Sequence, residues 1–362
     1  MNDTQNKKIT ILQALLIYIM AIYSPAIRYL TRITSIYAQQ AAWLSIIASM
    51  FIFVPLMFIL YKVTKKFEGQ SLHDIFCRVF GKPLGKTICI FYIFWLFILL
   101  SLLIRYSGEK LISTVFTTTD INLLMFLLVA IVAIMLRWGI QVLSRMNKII
   151  LALTIVQFAI VLFFLFMHFK VEYITPVSTL DIKPVAQSMI YPLTIFVYIT
   201  PLFIFNDQIQ YGKKSFGGFV FTASFLTVAL TLLMLAMLGM FTSQVIAKLN
   251  YPMYTAVENI SIFSSSAGLE SLFVSFWSIT EYITIAFFAY CVTRLIKNVF
   301  NLKNQTPVLT AILGAGLVFA IFYKDSFELI EFSQTIISFV NLIFGLGIPF
   351  ILFITAKARK LL

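Results

Sequence analysis

The sequence predicts an all-α integral membrane protein with ten transmembrane helices, arranged as a 5+5 inverted repeat in which helices 1 and 6 are broken. Three observations predict it. Of 362 residues, 61% are hydrophobic and only 11% charged, with a mean hydropathy of +0.98, whereas a soluble domain is about half apolar and a quarter charged. Ten apolar stretches reach or approach the ~20 residues that a helix needs to cross the hydrocarbon core. The first and the sixth of these carry proline motifs at equivalent positions.

In order, the stretches run approximately 10–32, 38–61, 87–107, 121–137, 147–169, 184–206, 216–242, 270–296, 306–323 and 333–356, separated by charged or Gly/Pro-containing breaks. The fourth is short, and the ninth contains Gly314 and Gly316. Tyr251 to Ser266 is amphipathic and too polar to span, so a helix or loop over one face is expected there. Met1 to Thr10 is polar, and the apolar run after it lacks a small-residue cleavage site, which predicts a retained membrane helix rather than a signal peptide. The chain thus reads as one polytopic domain over 1–362, with repeat one about 10–169 and repeat two about 184–356.

Lys plus Arg number 27 against 14 Asp plus Glu, a net charge of +13 that in a soluble chain points to nucleic acid. Here the distribution explains the excess. With the N-terminus inside, nineteen of the 27 basic residues fall on cytoplasmic segments, among them Lys62, Lys65, Lys66, Arg137, Lys213, Arg294 and Lys357. The opposite face holds the other eight, together with acidic residues such as Glu109, Asp120, Glu258, Asp325, Glu328 and Glu331. This asymmetry places both termini in the cytoplasm and removes the case for a nucleic-acid partner. The basic loop from Lys62 to Lys86 contains Leu72, Ile75, Phe76, Val79 and Phe80, and is expected as an amphipathic surface helix lying on anionic lipid or docking a partner.

An odd number of helices per half inverts the second half relative to the first. Span 1 carries Tyr23-Ser24-Pro25, and span 6 carries Thr200-Pro201 with Tyr191-Pro192 upstream. Proline lacks a backbone donor and disfavours helix at the residue before it, so both segments are expected to unwind locally, as in LeuT-like transporters. The alternative is a simple kink, as at Pro55 and Pro349. An unwound segment exposes N–H groups that suit a carboxylate and carbonyls that suit an ammonium, which together describe an amino acid-like small-molecule ligand. The exposed backbone is expected at Met20, Ala21, Ile22, Tyr23 and Ser24, and at Phe196, Val197, Tyr198, Ile199 and Thr200. The Ile, Phe and Tyr side chains there either form an apolar pocket or pack against neighbouring helices.

Glu281, well inside span 8 and flanked by Thr280 and Thr284, is a costly intramembrane carboxylate. It binds a ligand ammonium, carries a proton, or stays protonated and bonds a facing hydroxyl. Arg105 and Glu109, one turn apart at the outer end of span 3, read as an interfacial i,i+4 ion pair rather than a ligand clamp. Cys77, Cys89 and Cys291 show no paired spacing, and His73 and His168 are isolated, so neither a metal nor a disulfide framework is predicted. No nucleophile–base pair or phosphate-binding loop occurs in the spans, and the expectation is neither an enzyme nor a cofactor protein.

Three local motifs point to a family. Gln39-Gln40-Ala41-Ala42-Trp43-Leu44-Ser45 opens span 2, Tyr251-Pro252-Met253 through Glu258-Asn259-Ile260-Ser261 precedes span 8, and Leu269-Glu270-Ser271-Leu272-Phe273 is followed by Trp277. With the length and span count, they resemble the B subunit of the spore germinant receptors, the GerAB-type proteins, relatives of the amino acid/polyamine/organocation transporters. That resemblance implies a subunit in the spore inner membrane that senses a germinant and acts with an A subunit and a lipoprotein C subunit. The chain departs from the family where Met20-Ala21-Ile22 replaces a Gly-rich break, and where Tyr198 and Thr200 stand in a segment that commonly holds Gly and Glu. Loss of glycine narrows access to the backbone, so a different or weaker ligand is expected. A secondary amino-acid transporter, proton-coupled through Glu281, is the rival reading, and a scaffold with a decayed pocket is a third.

Overall fold

A computed structural model describes residues 8–260, 267–323 and 332–362. It is built from helices, with a two-residue parallel pairing of β1 (Ile9–Thr10) and β2 (Ile209–Gln210). The first helical stretch comprises α1 (Ile11–Pro25), a π-helical turn (Ala26–Leu30) and α2 (Thr31–Ala38). It starts on a capping box, in which Gln13 N donates to Thr10 Oγ1 at 3.3 Å and Thr10 N to Gln13 Oε1 at 2.8 Å. The chain turns at Gln39, whose φ of 47° ends α2, and enters α3 (Ala42–Lys66). A short α4 (Leu72–Phe80) precedes α5 (Lys82–Thr114), and Gly81 takes the φ of 92° between them that a side chain disfavours.

Then come α6 (Ile121–Leu136), α7 (Gly139–Met167), α8 (Ile182–Ser188) and α9 (Ile190–Phe196), the last running into a 3₁₀ segment, Val197–Gln208. After β2 follow α10 (Ser215–Met240), α11 (Ser243–Lys248), α12 (Pro252–Glu258), α13 (Ala267–Phe300) and α14 (Thr306–Phe322). The final helical stretch alternates a π turn (Ser333–Ile337), α15 (Ser338–Leu342), a second π turn (Ile343–Gly347) and α16 (Ile348–Ala358).

Among the described residues, seven helical stretches are long and apolar enough to cross a membrane, and Ile121–Leu136 and Thr306–Phe322 are shorter apolar helices. The central and peripheral members differ sharply. The stretch Thr179–Gln208 is 83% buried over its apolar window and Gly139–Met167 only 22%. Peripheral helices turn large apolar side chains outward, including Phe51, Ile149 and Phe163, at 80, 67 and 63% exposure. Such surface is unsustainable in water and suits lipid. The protein is a multi-pass, all-α membrane protein.

The expected break in span 1 is not where the prolines placed it. Met20 to Ser24 wind as regular α-helix through Pro25, and the irregularity is the π turn just beyond. Proline forfeits one backbone bond in a helix, and a buried helix held by its neighbours tolerates that loss. Span 6 does change geometry, but as a tightened 3₁₀ segment containing Pro201 rather than an open coil, with a non-helical residue at Phe205 (φ −108°, ψ 33°). Twelve residues of 3₁₀ helix is long for that conformation. Carbonyls at the irregular segments are met by side chains: Tyr18 Oη donates to Phe196 O (2.7 Å), Asn341 Nδ2 to Thr194 O (3.1 Å), and Thr200 Oγ1 to Gly345 O (2.7 Å). Main-chain atoms expected to be free at Phe196 are therefore already engaged.

Other expectations are refined. The loop 62–86 does form a helix, α4, but its Leu72, Ile75, Phe76 and Val79 are buried and α4 packs on α5. A Cβ at Gly85 of α5 would lie 2.6 Å from the Cys77 backbone N, so glycine is what permits that approach. Of the stretch 251–266, α12 forms the first part, while Ser261 to Ser266 lie outside the described residues, as do Lys7, Asp325, Glu328 and Glu331.

One end of the bundle is knitted around the 3₁₀ segment. Asn206 Nδ2 lies 3.0–3.3 Å from the carbonyls of Thr64, Phe67 and Gln70, Tyr211 Oη donates to Asn206 Oδ1 (2.7 Å), and Arg294 pairs with Asp207. Gly345 meets Val197 so closely that an added Cβ would sit 2.4 Å from Val197 Cβ. Gly345→Ala is expected to destabilise the protein by about 1–3 kcal/mol through overpacking. In a Val197→Gly background the same change should cost less than half as much, read from denaturant unfolding of the four proteins in detergent.

Candidate functional site

The centre of the bundle holds charges that need each other. Glu281, on α13 and 2% exposed, receives Lys110 Nζ on Oε2 at 2.6 Å and Ser24 Oγ on Oε1 at 2.9 Å. Ser24 in turn accepts from Trp277 Nε1 at 2.9 Å, and Lys110 also donates to Ser278 Oγ at 2.9 Å. Lys110 is fully buried, and its ammonium stands 4.9 Å from the Trp277 ring centroid. The network binds α1, α5 and α13 at one point. Of the roles weighed for Glu281, the geometry realises bonding to a facing hydroxyl, Ser24, and adds an ammonium that belongs to the chain itself.

Four residues after Ser24, Arg28 in the π turn places Nη1 4.0 Å from Glu281 Oε1 and its guanidinium carbon 3.9 Å from the Tyr106 ring centroid. One turn along α5, Arg105 Nη2 and Glu109 Oε1 are paired at 2.6 Å. That pair is present as expected but is buried, both side chains being 9% exposed, because α5 extends to Thr114, well past the predicted end of span 3. Arg28, Arg105 and Lys110 against Glu109 and Glu281 make three basic side chains to two acidic ones in this region.

Arg28 borders a cavity of about 60 Å³. Its walls are Pro25, Arg28 and Tyr29 from the first helical stretch; Leu99, Leu102, Leu103 and Tyr106 from α5; Thr194, Ile195 and Tyr198 from α9 and the 3₁₀ segment; and Ile337, Ser338 and Asn341 from the last helical stretch. The polar groups are positioned by one another: Tyr29 Oη and Ser338 Oγ lie 3.3 Å apart, Asn341 Nδ2 is 3.5 Å from Tyr198 Oη, and Trp95 Nε1 donates to Asn341 Oδ1 at 2.8 Å. At about 10–15 Å³ per water, the cavity has room for about four to six waters, or for a compact solute of similar size.

The residues singled out from sequence are divided among several environments. Tyr198 lines this cavity, and Ser24 and Glu281 stand in the charge network beside it. Thr284 Oγ1 lies 3.4 Å from Met20 O of α1 and 3.1 Å from Thr280 O, whereas Thr280 Oγ1 donates to Trp277 O within its own helix. Ala21, Phe196, Ile199 and Thr200 are packed in the core. Ile22 and Tyr23 face a separate apolar cavity on the other side of the first helix. Arg28, Tyr29, Lys110 and Asn341 were missed. A basic residue four positions after Ser24 on the same helix face was the available signal for Arg28.

The profile of the family described as "Spore germination protein" matches residues 8–328. The chain belongs to that family. Its relatives in Bacillus subtilis (strain 168) include Spore germination protein B2, 20% identical over 98% of this chain and 96% of the relative. Spore germination protein A2 is 22% identical over 88% and 87%, and Spore germination protein KB 22% identical over 89% and 88%. A germination role of receptor or permease type follows from membership, in a family that is not one of enzymes.

Removing one partner of a buried ion pair strands the other, at a cost of about 3–5 kcal/mol, whereas replacing both with apolar groups is far milder. Lys110→Met and Glu281→Leu should each destabilise the protein on that scale. Lys110→Met combined with Glu281→Leu should cost clearly less than the sum of the singles. Additive losses in thermal or denaturant unfolding would count against the pairing.

Proposed function

We propose that this chain is the germinant-sensing B-type subunit of a spore germination receptor, and that it binds a small carboxylate-bearing nutrient, an amino acid or close analogue, in the cavity beside Arg28. The observation that carries the reading is a guanidinium, 11% exposed and only loosely paired to Glu281 at 4.0 Å, at the wall of a solute-sized cavity in a protein of the germination family. A carboxylate placed there gains a charge-assisted, potentially bidentate partner in a low-dielectric setting. Leu99, Leu103 and Ile195 offer an apolar wall for a side chain, and the Tyr29, Tyr198 and Ser338 hydroxyls offer polar contacts for an ammonium. The grip is thus assigned to side chains, while Ser24, Glu281 and Thr284 hold together helices that frame it.

In this reading the chain crosses the bilayer ten times, as two inverted five-helix halves over about 10–169 and 184–356. Dividing the 56-residue stretch Ile11–Lys66 at its turn and admitting the two shorter apolar helices supports that count. The distribution of lysine and arginine supports cytoplasmic termini. The protein then resides in the spore inner membrane with an A subunit and a lipoprotein C subunit as partners. Ligand acts by binding one helix arrangement more tightly than another.

A secondary transporter is the second reading, favoured by the Lys110–Glu281 ion pair buried among the helices. Liposomes separate the two: a receptor subunit shows no sustained, gradient-dependent uptake. For the binding site itself, small amino acids should raise the melting temperature of the purified protein, by the equivalent of about 2.7 kcal/mol at a hundredfold excess over Kd. Their carboxamides should not, and Arg28→Gln should abolish the response. A shift that survives Arg28→Gln, or is equal for acid and amide, overturns the assignment.

A further inference from the structure

Away from the centre of the bundle, α4 carries a cluster of metal-ligating side chains that the charge network and the Arg28 cavity do not use. The helix buries Leu72, Ile75, Phe76 and Val79 and leaves Asp74 and Arg78 exposed. His73 and Cys77 fall on the boundary between those two faces, four positions apart, where side chains one helical turn apart meet. Their reactive atoms do meet: Cys77 Sγ stands 3.6 Å from His73 Nε2. Neither residue belongs to a metal-binding motif in the sequence, and it is the helix that pairs them.

The pair is held in a definite orientation. Asp74 Oδ2 accepts from Ser71 N at 3.1 Å and from Ser71 Oγ at 2.7 Å in the capping box that starts α4, which fixes the carboxylate. Its other oxygen, Oδ1, lies 3.2 Å from His73 Nδ1. An ionised carboxylate only accepts, so Nδ1 carries the ring proton and Nε2 turns its lone pair to the sulfur. A carboxylate behind the imidazole, setting its tautomer and angle, is the support that zinc-ligating histidines use. The separation fits as well. Zn–S and Zn–N bonds of about 2.3 and 2.0–2.1 Å meeting at the tetrahedral angle place sulfur and nitrogen about 3.5–3.6 Å apart, and the observed spacing is 3.6 Å.

We infer that His73 and Cys77 form a two-residue clamp for Zn²⁺ in the connection between α3 and α5, with Asp74 as the positioning residue. On binding, the cation takes the place of the thiol proton, which passes to solvent. Among the described residues no third His, Cys, Asp or Glu closes the site, so water fills the remaining positions and the ion is exchangeable. The ammonium groups of Lys82 and Lys86 lie near the sulfur and work against cations held by charge alone. Affinity therefore rests on the bonds to sulfur and nitrogen, which disfavours Mg²⁺ and Ca²⁺, since both need oxygen ligands. The clamp is independent of the Arg28 cavity.

The test uses the full chain in lipid nanodiscs, free of any polyhistidine tag and stripped of metal with a chelator. Cd²⁺ is the probe, because its bond to a thiolate gives an ultraviolet charge-transfer band, and Zn²⁺ affinity is read by competition against it. The wild type should show the band at a single equivalent of Cd²⁺; Zn²⁺ should remove it and Mg²⁺ should not. Cys89 and Cys291 are fully buried and should contribute none of it, so Cys77→Ser should abolish the band. His73→Gln, and Asp74→Asn, which can still accept from Ser71, should each weaken Zn²⁺ by about tenfold or more. No band in the wild type, a band that survives Cys77→Ser, or an unchanged Zn²⁺ affinity in His73→Gln overturns the clamp, and an unchanged affinity in Asp74→Asn overturns the positioning role. If Cys77→Ser fails to fold, His73→Gln decides alone in the same competition.

Discussion

A carboxylate withdrawn from water among apolar helices must be answered by cations and donors, and that demand at Glu281 organises the centre of this protein. Lys110 from α5, Ser24 from α1 and Arg28 from the adjoining π turn all converge on it. Three helices far apart in sequence are thereby fixed in rotation as well as distance, because a hydrogen bond of 2.6 Å tolerates little sliding where an apolar contact tolerates much. The wall of the Arg28 cavity is a by-product of this arrangement, since Arg28 is held at the edge of the same cluster by Glu281 and by the face of Tyr106.

Around that cluster the backbone departs from α-helix in three places: the turn at Ala26–Leu30, the 3₁₀ segment Val197–Gln208, and the π turns flanking Ser338–Leu342. The first two and the π turn Ser333–Ile337 border the Arg28 cavity. In a bilayer an open main-chain group has no solvent to turn to, and here neighbouring side chains take that part: Tyr18 for Phe196, Thr200 for Gly345, Asn341 for Thr194. Irregular geometry at a site is thus kept without leaving the chain's own polar atoms exposed, and the surface left to a solute is made of side chains.

Much of this was legible in the sequence, and the failures have physical causes. Span positions follow from hydropathy, because the hydrocarbon thickness dictates length whatever the neighbours do. Glu281 was legible too, since an intramembrane carboxylate is rare enough to single itself out. Pro25 misled, because a residue's own preference is outweighed when the helix around it is packed on all sides: Met20, Ala21 and Ser24 are each fully buried. Lys110 was hidden because its position past the apolar stretch of span 3 reads as interface, and only the length of α5 and the approach of α13 reveal it as core. The cavity itself is a relation among four helical stretches, and no pattern within any one of them encodes it.

The two-residue pairing of Ile9–Thr10 with Ile209–Gln210 joins the residues just before α1 to the exit of the 3₁₀ segment. That segment begins beside Tyr198 on the cavity wall and ends in the strand, with Asn206 and Asp207 anchored on the way. One continuous run of backbone, from Tyr198 to Gln210, thus leads from the cavity wall to the strand pairing.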